Sequence, residues 1–311
     1  MENNNNFVFK QIDPLSTHRQ SYKELHNLLF KGASATEEWI DWYHNDIGKL
    51  ETWSIGTRTW GVFDNEKLIG IWSVEPKTLT LKNQHIKVGR CFAVGIHPDY
   101  RRQNLFVLLS QFAIKEERRI KEFEYILGFP QQGRAVVGGH LKAGWEVVSD
   151  IDIYSRSNKL EYQYQSKLKL NFITNFKMLE PNLGFNEDDK YLNLRWIRHP
   201  DHQYLCYSYN SAFIVLKPYG NFCHIVNMSG DVDNVRTLLD GVIVLSKKHG
   251  WEEINVWCSE TGKYKEVLSS TGFSKGALHG LPIQFIAVRI NANTPLILDA
   301  NNFQMGVEEG Y

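Results

Sequence analysis

The sequence predicts an α/β protein with mixed β-sheets, arranged as two tandem domains of related fold. Three observations lead to this prediction. Strand-like runs in the first half are joined by short turns, the hydrophobic period then changes at Asn104 to that of a helix, and the second half repeats much of this order. With 311 residues, 42% of them hydrophobic, the chain is long enough for two cores.

The first predicted elements are helices followed by an antiparallel meander. An Asn-rich start, predicted to be a frayed tail, precedes helices over 17–29 and 36–44. Runs rich in aromatic and β-branched residues follow near 59–63, 68–81 and 86–96. Because the turns between these runs are short, we expect successive strands to pair antiparallel.

A long amphipathic helix comes next. Leu105, Leu108, Leu109, Phe112 and Ala113 recur with helical spacing and form one apolar stripe. After this helix the sequence predicts a strand over 123–128, a short helix, and a step at Gly144-Trp145 into another strand.

The second half begins with strand-like runs over 204–209, 212–217 and 221–228, followed by a helix that opens at Asp231 and is C-capped by Gly250. The sequence then predicts a strand over 254–258, a short helix over 263–270 and a final strand over 283–290. Gly272-Phe273 holds the place that Gly144-Trp145 holds in the first half. We therefore predict two domains, 1–155 and 156–311, joined near 155–162.

Composition narrows the class of protein. Lys+Arg and Asp+Glu both number 35, and this zero net charge argues against a nucleic-acid or membrane-surface partner. The N-terminus resembles no signal peptide, and no apolar run approaches the length of a membrane span. The cysteines are widely spaced without a CxxC pair, so we expect no zinc site and no disulfide framework; they are Cys91, Cys206, Cys223 and Cys258. The pattern predicts a cytoplasmic protein without a metal.

The segment between the meander and the long helix has the features of an anion site. A strand ends at Ile96, Pro98 turns the chain, and Arg101 and Arg102 precede the helix. Helix N-termini leave N–H groups unpaired and carry partial positive charge, which favours a phosphate ligand. The loop lacks the Gly-Lys-Ser/Thr signature of a P-loop, so we expect a different mode of pyrophosphate binding. An ordinary solvated arginine-rich turn is the alternative.

The stretch Val94-Gly-Ile-His-Pro-Asp-Tyr-Arg-Arg-Gln-Asn-Leu-Phe106 resembles the coenzyme motif of the GNAT (Gcn5-related N-acetyltransferase) superfamily. The resemblance implies a GNAT fold and acetyl-CoA as co-substrate. It implies that a strand backbone pairs with the pantetheine arm and that a loop holds the pyrophosphate. The residues so implied are Val94, Gly95, Ile96, Arg101, Arg102, Gln103, Asn104, Leu105 and Phe106. Asn104 and Phe106 depart from the family pattern, which has small residues there. Gly95 is expected to mark a β-bulge or a close backbone approach.

A second stretch, Gly128-Phe-Pro-Gln-Gln-Gly-Arg134 followed by His140-Leu-Lys-Ala-Gly-Trp145, resembles GNAT proteins of polysaccharide gene neighbourhoods, as does Trp39-Ile-Asp-Trp42. By this resemblance His140 holds the place of a tyrosine that protonates the departing thiolate, although a lone histidine is more often structural. Glu75 is the candidate base, acting through a water, or it faces solvent.

Four residues are candidates for the acceptor site: Trp39, Asp41, Trp42 and Gln131. Asp41 is expected to orient a hydroxyl or amine. The helical spacing of Trp39 and Trp42 fits core packing first and sugar stacking second. Cys91 is expected to be a small core residue.

The resemblance implies an acetyl-CoA-dependent N-acetyltransferase that acts on a primary amine of a small acceptor, an amino sugar or a nucleotide-linked amino sugar. The second domain is expected to lack a coenzyme loop, because Gly230-Asp-Val-Asp-Asn-Val235 has no basic residue. Two other readings stay open: a non-catalytic acyl-CoA sensor or scaffold, and a Fem-type aminoacyl transferase that uses aminoacyl-tRNA. The sequence makes no prediction of the oligomeric state.

Overall fold

A computed structural model describes residues 7–32, 35–81, 84–161, 170–177, 184–185, 187–291 and 293. The predicted frayed tail over 1–6 lies outside these residues. The chain divides into two compact units. Of the described residues, the first unit comprises those up to 148 together with 285–291 and 293, and the second comprises those from 149 to 284. The predicted division at 155–156 differs from this one, because the second unit begins at 149 and residues 285–291 belong to the first.

In the first half, the elements are β1 (Phe7–Ile12), α1 (Arg19–Leu29), α2 (Glu37–Asp41) with a π-helical turn (Trp42–Ile47), β2 (Arg58–Asp64), β3 (Lys67–Leu81), β4 (Gln84–Ile96), a 3₁₀ turn (Pro98–Tyr100), α3 (Leu105–Ile120), β5 (Tyr125–Gly128), α4 (Ala135–Lys142) and β6 (Glu146–Ser157). The predicted helices and meander strands agree with these bounds to within a few residues. β1 was not predicted.

In the second half, the elements are β7 (Asn171–Phe172), β8 (Gly184–Phe185), α5 (Asp189–Leu192) with a π-helical turn (Asn193–Ile197), β9 (Leu205–Tyr209), β10 (Ala212–Tyr219), β11 (Phe222–Ser229), α6 (Val232–His249), β12 (Glu253–Cys258), α7 (Lys265–Ser270), β13 (Ser274–Lys275) and β14 (Ile283–Arg289). Helix α6 begins and ends as predicted, because the Asp231 side chain accepts from the Asn234 N–H and Gly250 adopts a φ of +72°.

The first unit has a mixed sheet in the order β1-β2-β3-β4-β5-β14. Strands β1 to β4 pair antiparallel, β4 and β5 pair parallel, and β5 and β14 pair antiparallel. This confirms the predicted mixed α/β class. One face packs against α3 in a core that includes Trp60 and Trp72 of the sheet and Leu109 of the helix. The other face packs against α1 and α2 in a core that includes Ile71 of the sheet and Leu25 of α1.

The second unit has a sheet in the order β6-β12-β11-β10-β9-β7, with β13 beside β6. Strands β11 and β12 are parallel, whereas β9, β10 and β11 are antiparallel. Strand β6 continues to Ser157, so residues 155–157 of the predicted linker at 155–162 belong to a strand. Tyr162 lies outside the described residues. Within the described ranges, no helix is both long and apolar enough to cross a membrane.

Candidate functional site

Strand β4 carries a β-bulge at Ala93. Ile71 of β3 faces Gly95 and Ser73 faces Phe92, so a single β3 residue lies opposite two residues of β4. Ala93 has a φ of +46°, and consecutive Phe92 and Ala93 both pack on the same side of the sheet, against the α1–α2 core. A bulge takes backbone N–H and C=O groups out of the ladder, so β4 can present them to a different partner here.

The bulge lies two residues before Gly95, where the sequence suggested it. At Gly95, a Cβ atom would come within 2.9 Å of the Leu29 side chain on α1. Glycine at this position therefore lets the Leu29 side chain pack closely on β4.

Strands β4 and β5 separate just before the bulge. In the described part of the chain their parallel ladder covers Val88–Arg90 and Tyr125–Leu127. Strand β14 pairs with the other edge of β5 over Tyr125–Gly128, so Gly128 has a partner in β14 but none in β4 within the described ranges, while β4 continues to Ile96. The two strands therefore diverge on the carboxyl side of Arg90, and the bulge lies at the opening.

The loop from β4 to α3 positions the predicted anion site. Arg101 donates from Nε to the carbonyl of Ile96 at 3.2 Å, and Arg101 to Asn104 are exposed. Arg102 and Asn104 both adopt left-handed backbone angles, with φ of +65° and +59°. The Asn104 side chain makes no capping hydrogen bond to α3. The first N–H groups of α3 are therefore left for an external acceptor, as at other helix N-termini.

His140 of α4 packs against the first turn of α3. Its ring lies edge-to-face with Phe106 at 5.0 Å between centroids and with Trp145 at 4.7 Å. The side chain is buried, and its Nδ1 has no hydrogen-bond partner within the described ranges. Burial lowers the pKa of His140 to about 4, so the imidazole is neutral at pH 7.

Glu75 lies in a buried network at the point where β4 and β5 separate. It faces Arg90 across the ladder, accepts from Arg90 Nε at 2.9 Å and forms an ion pair with Lys77 Nζ at 2.8 Å. Tyr43 donates its hydroxyl proton to Glu75 Oε2 at 2.9 Å and accepts from Arg90. Glu75 is fully buried, so it does not face solvent.

Of the residues predicted for the acceptor site, Trp39 and Trp42 lie beside Tyr43 of this network, whereas Asp41 and Gln131 contact arginines elsewhere. Trp39 stacks on Tyr43 at 4.9 Å, and Trp42 is buried beside the same ring at 5.7 Å. Asp41 is held by Arg19 through two hydrogen bonds of 2.8 and 2.7 Å, and this arginine lowers the pKa of its carboxyl. Gln131, in the loop after β5, accepts from Arg134 at 3.3 Å.

Sequence reasoning missed Tyr43, Lys77 and Arg90. A signal was available, because Glu75 and Lys77 are two residues apart in a strand and hence share one face. Successive charged residues on a face that also buries Ile71 indicate a paired polar cluster rather than solvent exposure. Cys91 packs partly buried against the α3-side core, and burial raises the pKa of its thiol.

The second unit has a similar strand order but a different start to its helix. A register shift between Val215 and Leu216 marks an irregularity in the β10–β11 ladder, and α6 starts soon after β11. Asp231 caps α6, so a carboxylate already occupies the end of the helix where an anion would bind. The described residues contain no group of three or more His, Cys, Asp or Glu side chains placed to hold a metal ion.

Comparison with protein families gives one match. Residues 16–138 match the model of the acetyltransferase (GNAT) domain. This range contains the bulge, the diverging strands, the arginine-rich loop and α3. Over these residues the chain is similar to a GNAT domain, which supports an acyltransferase activity. GNAT domains use acetyl-CoA as co-substrate.

Solved structures show the same fold at low sequence identity. A GCN5-related N-acetyltransferase from Anabaena variabilis is 12% identical with a TM-score of 0.65, over 92% of this chain and 73% of that one. One from Kribbella flavida is 10% identical with a TM-score of 0.61, over 92% and 72%. Eis1 from Mycobacterium abscessus is 9% identical with a TM-score of 0.58, over 92% and 74%. No curated protein sequence matches the chain.

Proposed function

We propose that the first unit binds acetyl-CoA and transfers its acetyl group to a primary amine of a small acceptor. The observation that carries this proposal is that three features follow one another within about fifteen residues: the separation of β4 from β5 after Arg90, the bulge at Ala93, and an α3 N-terminus without a side-chain cap. Together they would hold the pantetheine arm between the strands and the pyrophosphate at the start of the helix.

The pyrophosphate would bind at the first turn of α3. Its residues Leu105 and Phe106 and the loop residues Gln103 and Asn104 supply backbone N–H groups, and the two arginines of the loop supply positive charge. The pantetheine amides would pair with β4 over Val94–Ile96, where the strand has no ladder to β5 within the described ranges.

The reaction needs a neutral amine to attack the thioester carbonyl. The carbon–sulfur bond breaks, coenzyme A leaves as a thiolate, and the amine and the thiolate exchange a proton through solvent or a side chain. Backbone N–H groups at the bulge would stabilise the developing oxyanion. His140, being neutral, would stabilise the thiolate as a hydrogen-bond donor rather than as an imidazolium acid.

Glu75 would act on the acceptor through Tyr43. Its buried carboxylate already contacts two cations and accepts from the Tyr43 hydroxyl. The role predicted for Glu75 as a base acting through a water is therefore less favoured than a positioning role. Trp39, partly exposed and stacked on Tyr43, offers an aromatic face on which an amino sugar would fit.

We propose a cytoplasmic enzyme whose acceptor, an amino sugar free or nucleotide-linked, is a small molecule and not a nucleic acid. We also propose that the second unit is a GNAT-like domain without a coenzyme site, because Asp231 occupies the N-terminus of α6.

The test is binding followed by turnover. We expect acetyl-CoA to raise the melting temperature of the wild type, and Arg102→Glu to weaken its affinity at least tenfold, because a positive charge beside the pyrophosphate becomes negative. Arg119→Glu, the same charge change at the exposed C-terminal end of α3, is the matched control. Thiol release with a panel of amino sugars and polyamines then identifies the acceptor class. Equal affinity in wild type and Arg102→Glu would show that the pyrophosphate is not held by this loop.

A further inference from the structure

The second unit contains a buried cluster of hydrogen-bond donors. Lys217 of β10 faces His224 of β11, and His224 faces Asn255 of β12 in the last pair of their parallel ladder. In the first unit, Glu75 faces Arg90 and Arg90 faces Leu127 in the same arrangement. A lysine thus stands where the first unit has a carboxylate.

Four side chains form this cluster: Arg195 and Trp196 from the π-helical turn, Tyr204 before β9, and Lys217. All four are buried. The Arg195 guanidinium lies 5.4 Å from the Trp196 ring, whose centroid is 5.0 Å from that of Tyr204. Lys217 Nζ lies 5.8 Å from the Tyr204 ring and 5.1 Å from the Tyr219 ring. The side chains are therefore contiguous.

Two of these donors lack a partner in the described part of the chain: the Tyr204 hydroxyl and the Trp196 indole N–H. Buried polar groups are nearly always hydrogen-bonded, and each exception points to a strained site or to a bound group. The indole and the guanidinium can only donate, and a protonated lysine can only donate as well. Arg195 and Lys217 also interact with other groups of the protein. The Tyr204 hydroxyl and the Trp196 indole N–H are therefore the main evidence for a bound group.

We propose that the second unit binds a small oxyanion, a carboxylate or phosphate group, between Arg195, Trp196, Tyr204 and Lys217. An oxyanion accepts hydrogen bonds only, and its charge complements the two cations. The aromatic rings of Trp196, Tyr204 and Tyr219 would exclude water from it, which strengthens each contact.

The electrostatics of Lys217 agree with such a ligand. Burial and, to a smaller extent, the charge of Arg195 lower the pKa of Lys217 to about 7. His199 and His202 lie beside the cluster, and burial lowers the pKa of each, to about 2 and about 4. Both imidazoles are therefore neutral at pH 7, and the positive charge comes from Arg195 and, once an anion is bound, from protonated Lys217. A bound anion would restore the protonated state of the lysine.

The test uses the full chain with coenzyme A at saturation, so that the α3 loop is occupied. Orthophosphate, acetate and succinate are titrated at constant ionic strength, and binding is followed by calorimetry and by melting temperature. We expect at least one of them to bind, and Tyr204→Phe and Lys217→Met to weaken that binding at least tenfold, since each removes a charged or charge-assisted hydrogen bond. The phosphate and carboxylate arms distinguish the source of the oxyanion.

Tyr207→Phe is the matched control, because Tyr207 lies on β9 against the α6-side core and contacts Phe172 at 5.5 Å. It should bind like the wild type. The same titration of Arg102→Glu, whose coenzyme loop carries reversed charge, shows that binding is independent of the first unit. If Lys217→Met does not fold, Tyr204→Phe still decides, because it deletes only an unpartnered hydroxyl. Absence of binding to all three anions, or binding that Tyr204→Phe leaves unchanged, overturns the proposal.

Discussion

Glu75 and Arg90 face each other across β3 and β4 at the last residue of β4 that pairs with β5. Their ion pair therefore joins β3 and β4 at the point where the sheet opens, and the Tyr43 hydroxyl contacts both side chains, donating to Glu75 and accepting from Arg90. Breaking a buried pair by removing one charge costs much more than losing an exposed one, because the remaining charge keeps its desolvation penalty. The network thus ties the stability of the first unit to the geometry of the opening.

Glu75→Gln should destabilise the protein strongly, and Tyr43→Phe should do so only modestly. The first leaves Arg90 and Lys77 without this carboxylate and is expected to cost about 3–5 kcal/mol; the second removes one hydroxyl and should cost about 2 kcal/mol. Urea unfolding measures both, with Glu66→Gln in the exposed β2–β3 turn as control.

Tyr43→Phe also separates a structural role from an acceptor-site role. If Tyr43 positions the acceptor, kcat/KM for the amine should fall at least tenfold, whereas the Kd for acetyl-CoA should stay the same. Full activity in a folded Tyr43→Phe protein would restrict the hydroxyl to stability.

The helices and the meander could be predicted from the sequence because capping residues and short turns lie next to the elements that they define. Helix α6 begins after Asp231 and ends before Gly250, and both capping residues lie within one turn of the helix ends. The short turns between β2, β3 and β4 make antiparallel pairing the simplest outcome. The loop before α3 was recognisable for the same reason, since its arginines and the helix start are consecutive.

Pairing between distant segments could not be predicted in the same way. A period of two shows that β6 and β14 are strands, but it does not say that β14 pairs with β5 and β6 with β12. Asp41 is predicted from the sequence to orient a hydroxyl or amine of the acceptor, whereas in the structure Arg19, 22 residues earlier, binds its carboxylate. Such partners depend on the tertiary fold and leave no local pattern.

Asn104→Gly should keep or improve the affinity for acetyl-CoA. Asn104 has a φ of +59°, a region that glycine adopts without steric cost and asparagine tolerates. The melting temperature should change little, because the relief of strain and the added entropy of unfolded glycine oppose each other. Asn104→Val should destabilise by about 1–2 kcal/mol, since a β-branched residue is poorly tolerated there. Loss of coenzyme affinity in Asn104→Gly would mean that the side chain itself binds the ligand.

Gly139→Ala should destabilise the contact between α3 and α4. A Cβ atom at Gly139 would lie 2.6 Å from the ring of Phe106, so the ring or the helix must move, at a cost of about 1–3 kcal/mol. Phe106→Ala alone should also be destabilising, because it leaves a cavity beside His140. The double variant should lose less than the sum of the two, because the alanine methyl then has space. Additive losses, measured by urea unfolding of all three variants, would contradict this packing.

Stability should fall as the pH drops below about 6.5, and buried histidines explain part of the fall. Burial lowers the pKa of His26 to about 4, of His44 to about 3 and of His140 to about 4. The unfolded chain binds protons at these side chains from about pH 6.5 downward, whereas the native state does not, so acid favours unfolding. Their contribution is complete above pH 6.5 and is lost as the pH falls towards 4.

Each of these histidines should add about 1.4 kcal/mol per pH unit to the slope of the unfolding free energy between pH 5.5 and 4.5. His44→Gln, which cannot be protonated in this range, should therefore give a slope shallower by about this amount in urea titrations at several pH values. His85→Gln, the same substitution at an exposed position of β4, is the matched control. An unchanged slope in His44→Gln would mean that His44 is protonated in the native state, against its burial between Tyr22 and Phe92.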